Sequence, residues 1–335
     1  MLQQLHLVFG GLGLWAFLVY QSVHTSGEES VSSPLVRIFV SYYGVVATLG
    51  EFHIRGTAMF ENFTRFFTRL ASYLDLGFEP IVCVHRDMSY AGLVSMKAIA
   101  PYVLMCAVGL GLPLYVALFR GHQDDKDRLP LRNQLVGSLV WVIYYLFPTI
   151  VIGLFKTFHC TAKIGTEKPA QYMWSNLRIK CYDDDHQAAL GIAVILLLIY
   201  NIAMPAGILF ITRWKRHRLH DPHFRASFGF IYQGYADGKE WWEVVVLARK
   251  TAIAVILVFV GDTFLQSLFA VCVLLVASFL QSVYRPYGRQ VLNRVELLAL
   301  FTTLLTQLLC LLFYWLAQER AALHESLHAP YDAAE

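Results

Sequence analysis

The chain has 335 residues, 57% of them hydrophobic and 15% charged, with a formal net charge of +3 and a mean hydropathy of +0.50. Soluble globular domains carry about 25% charged residues, so this composition excludes a soluble domain and identifies a polytopic membrane protein. No nucleic-acid partner is expected.

Apolar stretches close to the roughly 20 residues that cross ~30 Å of hydrocarbon lie at about 4–23, 34–50, 98–119, 134–156, 188–212, 242–260, 264–283 and 295–317. The expected fold class is all-α, a transmembrane bundle of about eight membrane helices. The short second stretch admits a different reading, one crossing followed by an interfacial amphipathic helix within 34–72. Three regions follow: an N-terminal helix and short loop over 1–33, the main helical domain over 34–317, and an acidic polar tail over 318–335.

The first stretch lacks the basic flank and small-residue cleavage site of a signal peptide, so it is kept as a helix. Residues 51–97 are expected outside, with Asn62 in a glycosylation sequon, Asn62-Phe63-Thr64. Their five Lys/Arg are balanced by five acids, whereas the 24–33 loop has no Lys/Arg, which leaves the orientation of the first two helices open. Pro101, Pro113, Pro148 and Pro205 fall in or beside helices, where each frees a carbonyl that lipid cannot satisfy. Cys160 and Cys181 flank a polar segment in the external 156–187 loop and are the candidate disulfide. Cys106, Cys272 and Cys310 lie in apolar helices as packing residues, and Cys83 is placed outside. Asn201 precedes Pro205 by one turn, so its amide is the candidate partner for the carbonyl that the proline releases, and the two form a candidate hinge.

The loop from Arg213 to Glu240 holds six Lys/Arg, and the loop from Arg285 to Arg294 holds three Arg and no acid. Both are expected to be cytoplasmic. Arg213, Lys215, Arg216 and Arg218 directly follow a membrane helix, a pattern that attracts anionic lipid headgroups at about 1 kcal/mol per residue. Trp241 and Trp242 suit the headgroup layer. Arg249 and Lys250 then enter hydrocarbon and need a partner, for which Glu243 is the nearest candidate. In the last helices Asp262, Gln266, Glu296 and Gln307, with Gln281, form candidate polar positions along a cation path.

Several chemistries lack their residues. The sequence has no GxxxxGK[ST] loop, no facing histidine pair for haem, and no cysteine–histidine spacing for structural zinc. The acidic runs at 124–127 and 183–185 read as solvated, so no metal or other cofactor is assigned. With no nucleophile, base and oxyanion set in view, an enzyme is not expected.

Along 34–316, Cys160 to Cys181, the Asn201–Pro205 helix with its basic end, FGFIYQGY, WWEVVVLARK and SVYRPYGRQVLNRVE occur in order. In this pattern the chain resembles the C-terminal membrane domain of the TRP-like family of fungi and protists, which includes the fungal flavin carriers and is distantly related to polycystins. The resemblance implies a cation channel, with Ca²⁺ among the candidate ions. Two departures from the family pattern stand out: no large region precedes the membrane domain, and the loops at 261–263 and 284–294 are too short for a re-entrant pore helix and filter. The alternatives are a carrier for lipid or an anionic cofactor, using Glu243, Arg249 and Lys250, and a structural subunit of a larger membrane complex. Membrane lipids, cations and a homo-oligomer or larger assembly are the expected partners. External cysteines and the sequon favour the secretory pathway or plasma membrane, the ciliary membrane included.

Overall fold

The computed structural model describes residues 34–39, 41–42, 89–96, 99, 103, 106–107, 131–164 and 170–328. The expected spans at 4–23, 34–50 and 98–119 lie wholly or largely outside these residues, as do Asn62, Cys83, Pro101 and Pro113. Seven long helices follow residue 130: α1 (Leu131–Lys156), α2 (Asp184–Leu198), α3 (Met204–Trp214), α4 (Pro222–Tyr232), α5 (Trp242–Phe259), α6 (Thr263–Tyr284) and α7 (Gln290–His328). The all-α expectation holds but for one hairpin, in which Tyr172–Met173 pairs antiparallel with Asn176–Lys180.

Among the described residues, four stretches are long and apolar enough to cross a membrane: Leu135–Lys156, Asp184–Trp214, Thr263–Tyr284 and Gln290–Arg320. This is a membrane protein, and these stretches coincide with four of the expected spans. The expected span at 242–260 forms α5, but its three charged residues, Glu243, Arg249 and Lys250, set it apart from those four stretches. The helix continues through them because their side chains are enclosed by neighbouring protein.

Helix α1 is central, with Val142, Phe147 and Val151 fully enclosed, and it packs against α4 and α5. Close approach to α4 requires Gly137, since a Cβ there would press into the Ala226 carbonyl. The helix also continues through Pro148. Helices α6 and α7 pair around Val271, Leu274, Leu300 and Leu304, joined by Ile253 of α5. Helix α6 stops at Arg285, in the left-handed region at φ 41°, ahead of Pro286, which cannot continue a helix.

The two ends of the bundle are distinguishable. At one end the Phe155 and Phe259 rings meet at 5.8 Å and His159 stacks on Trp174, which gathers the hairpin and the α5–α6 turn. At the other, Lys239 donates to the Tyr284 carbonyl at 2.5 Å, and Tyr235 bridges Tyr287, which gathers the basic loops. The end with the basic loops is called the inner end and the end with the disulfide the outer end, after the sidedness expected from Lys and Arg placement.

Candidate functional site

The inner half of the bundle encloses three basic and two acidic side chains. Arg37, Glu243, Lys250 and Glu296 are 2%, 0%, 6% and 4% exposed, and the Arg249 side chain is 9% exposed. Arg249 and Lys250 lie seven and eight residues along α5 from Trp242, about 10–12 Å at helical rise. Ionisable groups at such positions are expensive unless paired within protein.

Arg37 closes the end of α4. Its guanidinium donates to the carbonyls of Phe230 at 2.6 Å, Ile231 at 2.8 Å and Gln233 at 2.9 Å, where the helix leaves carbonyls without intrahelical donors. The positive group also complements the negative end of the helix dipole. Its Nε lies 3.3 Å from Oε2 of Glu243, and its guanidinium carbon sits 4.4 Å from the Tyr235 ring centre. The Tyr235 hydroxyl donates to the same Glu243 oxygen at 2.8 Å. Burial pushes the Tyr235 phenol well above its usual pKa, against the opposing pull of Arg37, so it remains a donor. Gly234, at φ 88°, lets the turn run beneath Pro34, whose ring a side chain would strike.

Arg249 reaches the other carboxylate. Its Nη1 and Nη2 donate to Oε1 of Glu296 at 3.3 and 3.2 Å, and Nη2 also donates to Ser41 Oγ at 3.0 Å. Lys250 Nζ sits 3.8 Å from the Tyr144 ring centre and has no hydrogen-bond acceptor among the described residues. A cation over an aromatic face is attracted by the ring quadrupole, more strongly when desolvated. Four segments of chain, 34–42, α1, α5 and α7, are thereby held together by charge.

The expected pairing of Glu243 with Arg249 or Lys250 is replaced by two separate pairs. Residues six or seven apart on a helix are about 9–10 Å apart along its axis, so each charge meets a neighbouring element instead. Asp262 is exposed and caps α6, accepting from the Leu265 N–H at 2.8 Å. Gln266 donates to the Leu257 and Val260 carbonyls at 2.9 and 2.6 Å, closing the end of α5. Gln307 is 1% exposed in α7. Gln281 donates to Asn293 at 3.4 Å. These positions are thus divided between the outer turn, the α6–α7 seam and the inner charge array.

Asn201 sits in a π-helical turn, Ile199–Ala203, just ahead of Pro205. Its amide donates to Leu197 at 3.1 Å and accepts from Thr251 at 2.7 Å. It therefore serves the carbonyl one turn upstream and a neighbouring helix, a correction to its expected partner at the proline-released carbonyl. The cause is the wide turn, which shifts the ladder so that Met204 N–H reaches Ile199. Trp242 is buried and packs with Trp241 on Tyr284, so this aromatic pair is seated largely in protein. Arg213, Arg216 and Arg218 are exposed and Lys215 is half-buried. Cys310 is buried, while Cys106 and Cys272 face outward, so only the first fits the expected packing role.

Cys160 and Cys181 are disulfide-bonded. His186 lies beside them, accepting from the Tyr182 N–H at Nδ1 and donating from Nε2 to the Thr157 carbonyl at 3.0 Å. The three side chains fall within 4.8 Å of one another, but the sulfurs are joined to each other and both ring nitrogens are engaged, so this cluster presents no free metal ligand.

Sequence reasoning missed Arg37, Ser41, Tyr144 and Tyr235. The available signal was Arg37 itself, a lone arginine in an apolar run, which must find partners if that run is buried.

No family model matches the chain, and no solved structure matches it. Among curated proteins, a stretch of 147 residues is 22% identical to the "Cysteine repeat modular protein A" of Toxoplasma gondii. That stretch is 42% of this chain but 5% of the Toxoplasma protein.

Proposed function

We propose that this chain is a TRP-like integral membrane domain of eight membrane helices that acts as a cation channel or channel-like subunit in an oxidising-side membrane of the secretory pathway or cell surface. The observation that carries the reading is the enclosed array of Arg37, Glu243, Arg249, Glu296 and Lys250. Intramembrane charge marks ion pathways and gating elements, because it is otherwise too costly to retain. Here the charges join separate helices, as a gating element requires. The carrier reading needs Glu243, Arg249 and Lys250 to face an open groove, whereas all three are enclosed. With 260–262 and 285–289 joining the last three helices, no pore loop fits between them, so the conducting path is assigned to an assembly of several chains. Apolar faces on α6 and α7, such as Phe279, Leu298 and Phe301, are available to lipid or to neighbouring subunits.

Recording from purified protein in planar bilayers with asymmetric K⁺ and Ca²⁺ tests the reading. Cation-selective openings whose gating changes in the Arg249→Glu/Glu296→Arg swap are expected. A folded sample that is silent under voltage and lipid variation, and that co-purifies with a fixed partner, would replace this reading with the structural-subunit one.

A further inference from the structure

Helix α7 outlasts the bundle that it belongs to. It runs 39 residues, from Gln290 beside the inner basic loop to His328, which is about 58 Å at helical rise and nearly twice the ~30 Å of a hydrocarbon core. Its apolar stretch ends at Arg320. The Tyr314 ring lies 6.4 Å from that of Phe264, in the first turn of α6, so Tyr314 marks the level of the outer turn. His324 and His328 follow about 15 and 21 Å further along the axis, and Leu323 beside them is 59% exposed. The last turns of α7 therefore stand beyond the bundle on the outer side.

Those turns carry His324-Glu325-Ser326-Leu327-His328 on continuous helix. At 3.6 residues per turn, His328 comes about 40° around the axis from His324 and about 6 Å above it, with Glu325 at about 100°. The three positions share one face. This HExxH spacing is the one by which a helix offers two imidazoles to a single metal ion. Imidazole suits zinc, copper and nickel, and Zn²⁺, which has no redox chemistry, is the ion for which two histidines and a neighbouring acid are a familiar set. Histidines in a last turn also complement the negative end of the helix dipole. That role needs charged rings and no particular spacing, whereas a metal needs neutral rings one turn apart, and one turn is the spacing found.

We propose that the outer end of α7 is a zinc site, with His324 and His328 as its imidazole ligands and Glu325 on the same face to offset the charge of the ion. A catalytic zinc takes three protein ligands and a water. The helix supplies two imidazoles, so the site binds the ion without hydrolytic chemistry, and water completes the coordination. A metal held across one turn fastens that turn against fraying, and a helix end that has left the bundle is otherwise secured only by its own backbone bonds. The site stands independently of conduction, since it is read by binding alone. It is also separate from the cluster of Cys160, Cys181 and His186, whose sulfurs are joined to each other.

The test titrates zinc chloride, by calorimetry at about pH 7.5, against the full untagged chain in phosphatidylcholine nanodiscs, and follows amide hydrogen exchange over 320–328 with and without the ion. A saturable site is expected, together with slower exchange in that segment. Loss of an outer-shell partner alone weakens metal binding by roughly 10–100-fold, so His324→Ala and His328→Ala, which remove ligands, should each weaken it by about tenfold or more. Ser326→His/His328→Ala keeps the number of histidines but sets the two rings about 200° apart around the helix, and should bind no better than His328→Ala. Binding should also fail at about pH 5.5, where the imidazoles are protonated. These substitutions lie beyond the bundle, and unchanged exchange in the rest of α7 confirms that each variant is folded. The proposal is overturned if zinc does not saturate, if His324→Ala/His328→Ala binds like the parent, which would place the ion on other histidines, or if the relocated pair in Ser326→His/His328→Ala binds as tightly as the original.

Discussion

Replacing Glu296 by Gln leaves the Arg249 guanidinium without an anion in a site where both side chains are less than a tenth exposed. Arg249 places two hydrogen bonds, of 3.3 and 3.2 Å, on one oxygen of that carboxylate, and once the charge is gone only neutral acceptors, the new amide oxygen and the Ser41 hydroxyl, face it. Stranding one member of a buried pair costs about 3–5 kcal/mol, whereas replacing both by apolar groups of similar volume is often close to neutral. Arg249→Met strands Glu296 in the same way, so the single losses should be similar, and Arg249→Met/Glu296→Leu should be much less destabilised than their sum. A coupling energy of about 3 kcal/mol is expected, near the upper end for residues in contact. The assay is reversible denaturant unfolding in mixed micelles of fixed composition, applied to the parent, both single variants and the double. Single losses below about 1 kcal/mol, the range of exposed pairs, or losses that simply add, would refute the enclosed pair and with it the assignment of α5 and α7 to one charged seam.

Removing the disulfide with Cys160→Ala/Cys181→Ala opens a loop of 21 residues' separation and should cost about 3 kcal/mol on chain-entropy grounds; maleimide labelling of both cysteines in the untreated parent would sink the bond. Asp262→Asn should leave both stability and any current unchanged, because Asn caps as well as Asp, while Asp262→Ala should lose about 1 kcal/mol. A current altered by the Asn variant would return Asp262 to the conducting path. Gly137→Val should lose about 1–3 kcal/mol by forcing α1 away from the Ala226 carbonyl, measured against Gly191→Val, where a Cβ meets nothing within 4 Å.

The membrane helices were legible because hydropathy reports on lipid, and 135–156, 184–214, 263–284 and 290–320 are apolar over most of their length. The disulfide was legible because two cysteines flank one polar loop between apolar helices. The partners of the charges were not. Sequence spacing describes a helix only along itself, and made Glu243 the neighbour of Arg249, while the carboxylate that Arg249 meets lies 47 residues away. Arg37 reaches carbonyls 193 to 196 residues distant, a contact with no local signature. The convergence of Arg225 and Arg289 was illegible for the same reason, since they look like ordinary loop charges until the α6–α7 loop folds back on the turn after α4. Asp262 misled in the opposite direction: an acid at a short turn reads alike as an ion ligand and as a helix cap, and only its bond to Leu265 N–H distinguishes them.

The two ends of the bundle are fastened by different physics, and the difference locates where the molecule can change shape. At the outer end the fastenings are covalent or short-range: the disulfide, His186 between Tyr182 and Thr157, Asp185 accepting from the Tyr90 N–H at 2.8 Å, and Gln266 closing the end of α5. At the inner end several donors share few acceptors, with Arg37 and Tyr235 both on one oxygen of Glu243 and Lys250 held by a ring alone among the described residues. Such contacts can be exchanged without leaving a charge bare, provided the helices slide slightly. The π turn at Ile199–Ala203 supplies a place for that adjustment, since a π bulge can yield in register where a regular helix cannot, and Thr251 ties it to α5 immediately beside Lys250. Movement of α5 would therefore pass to the charge array while the outer end stayed fixed.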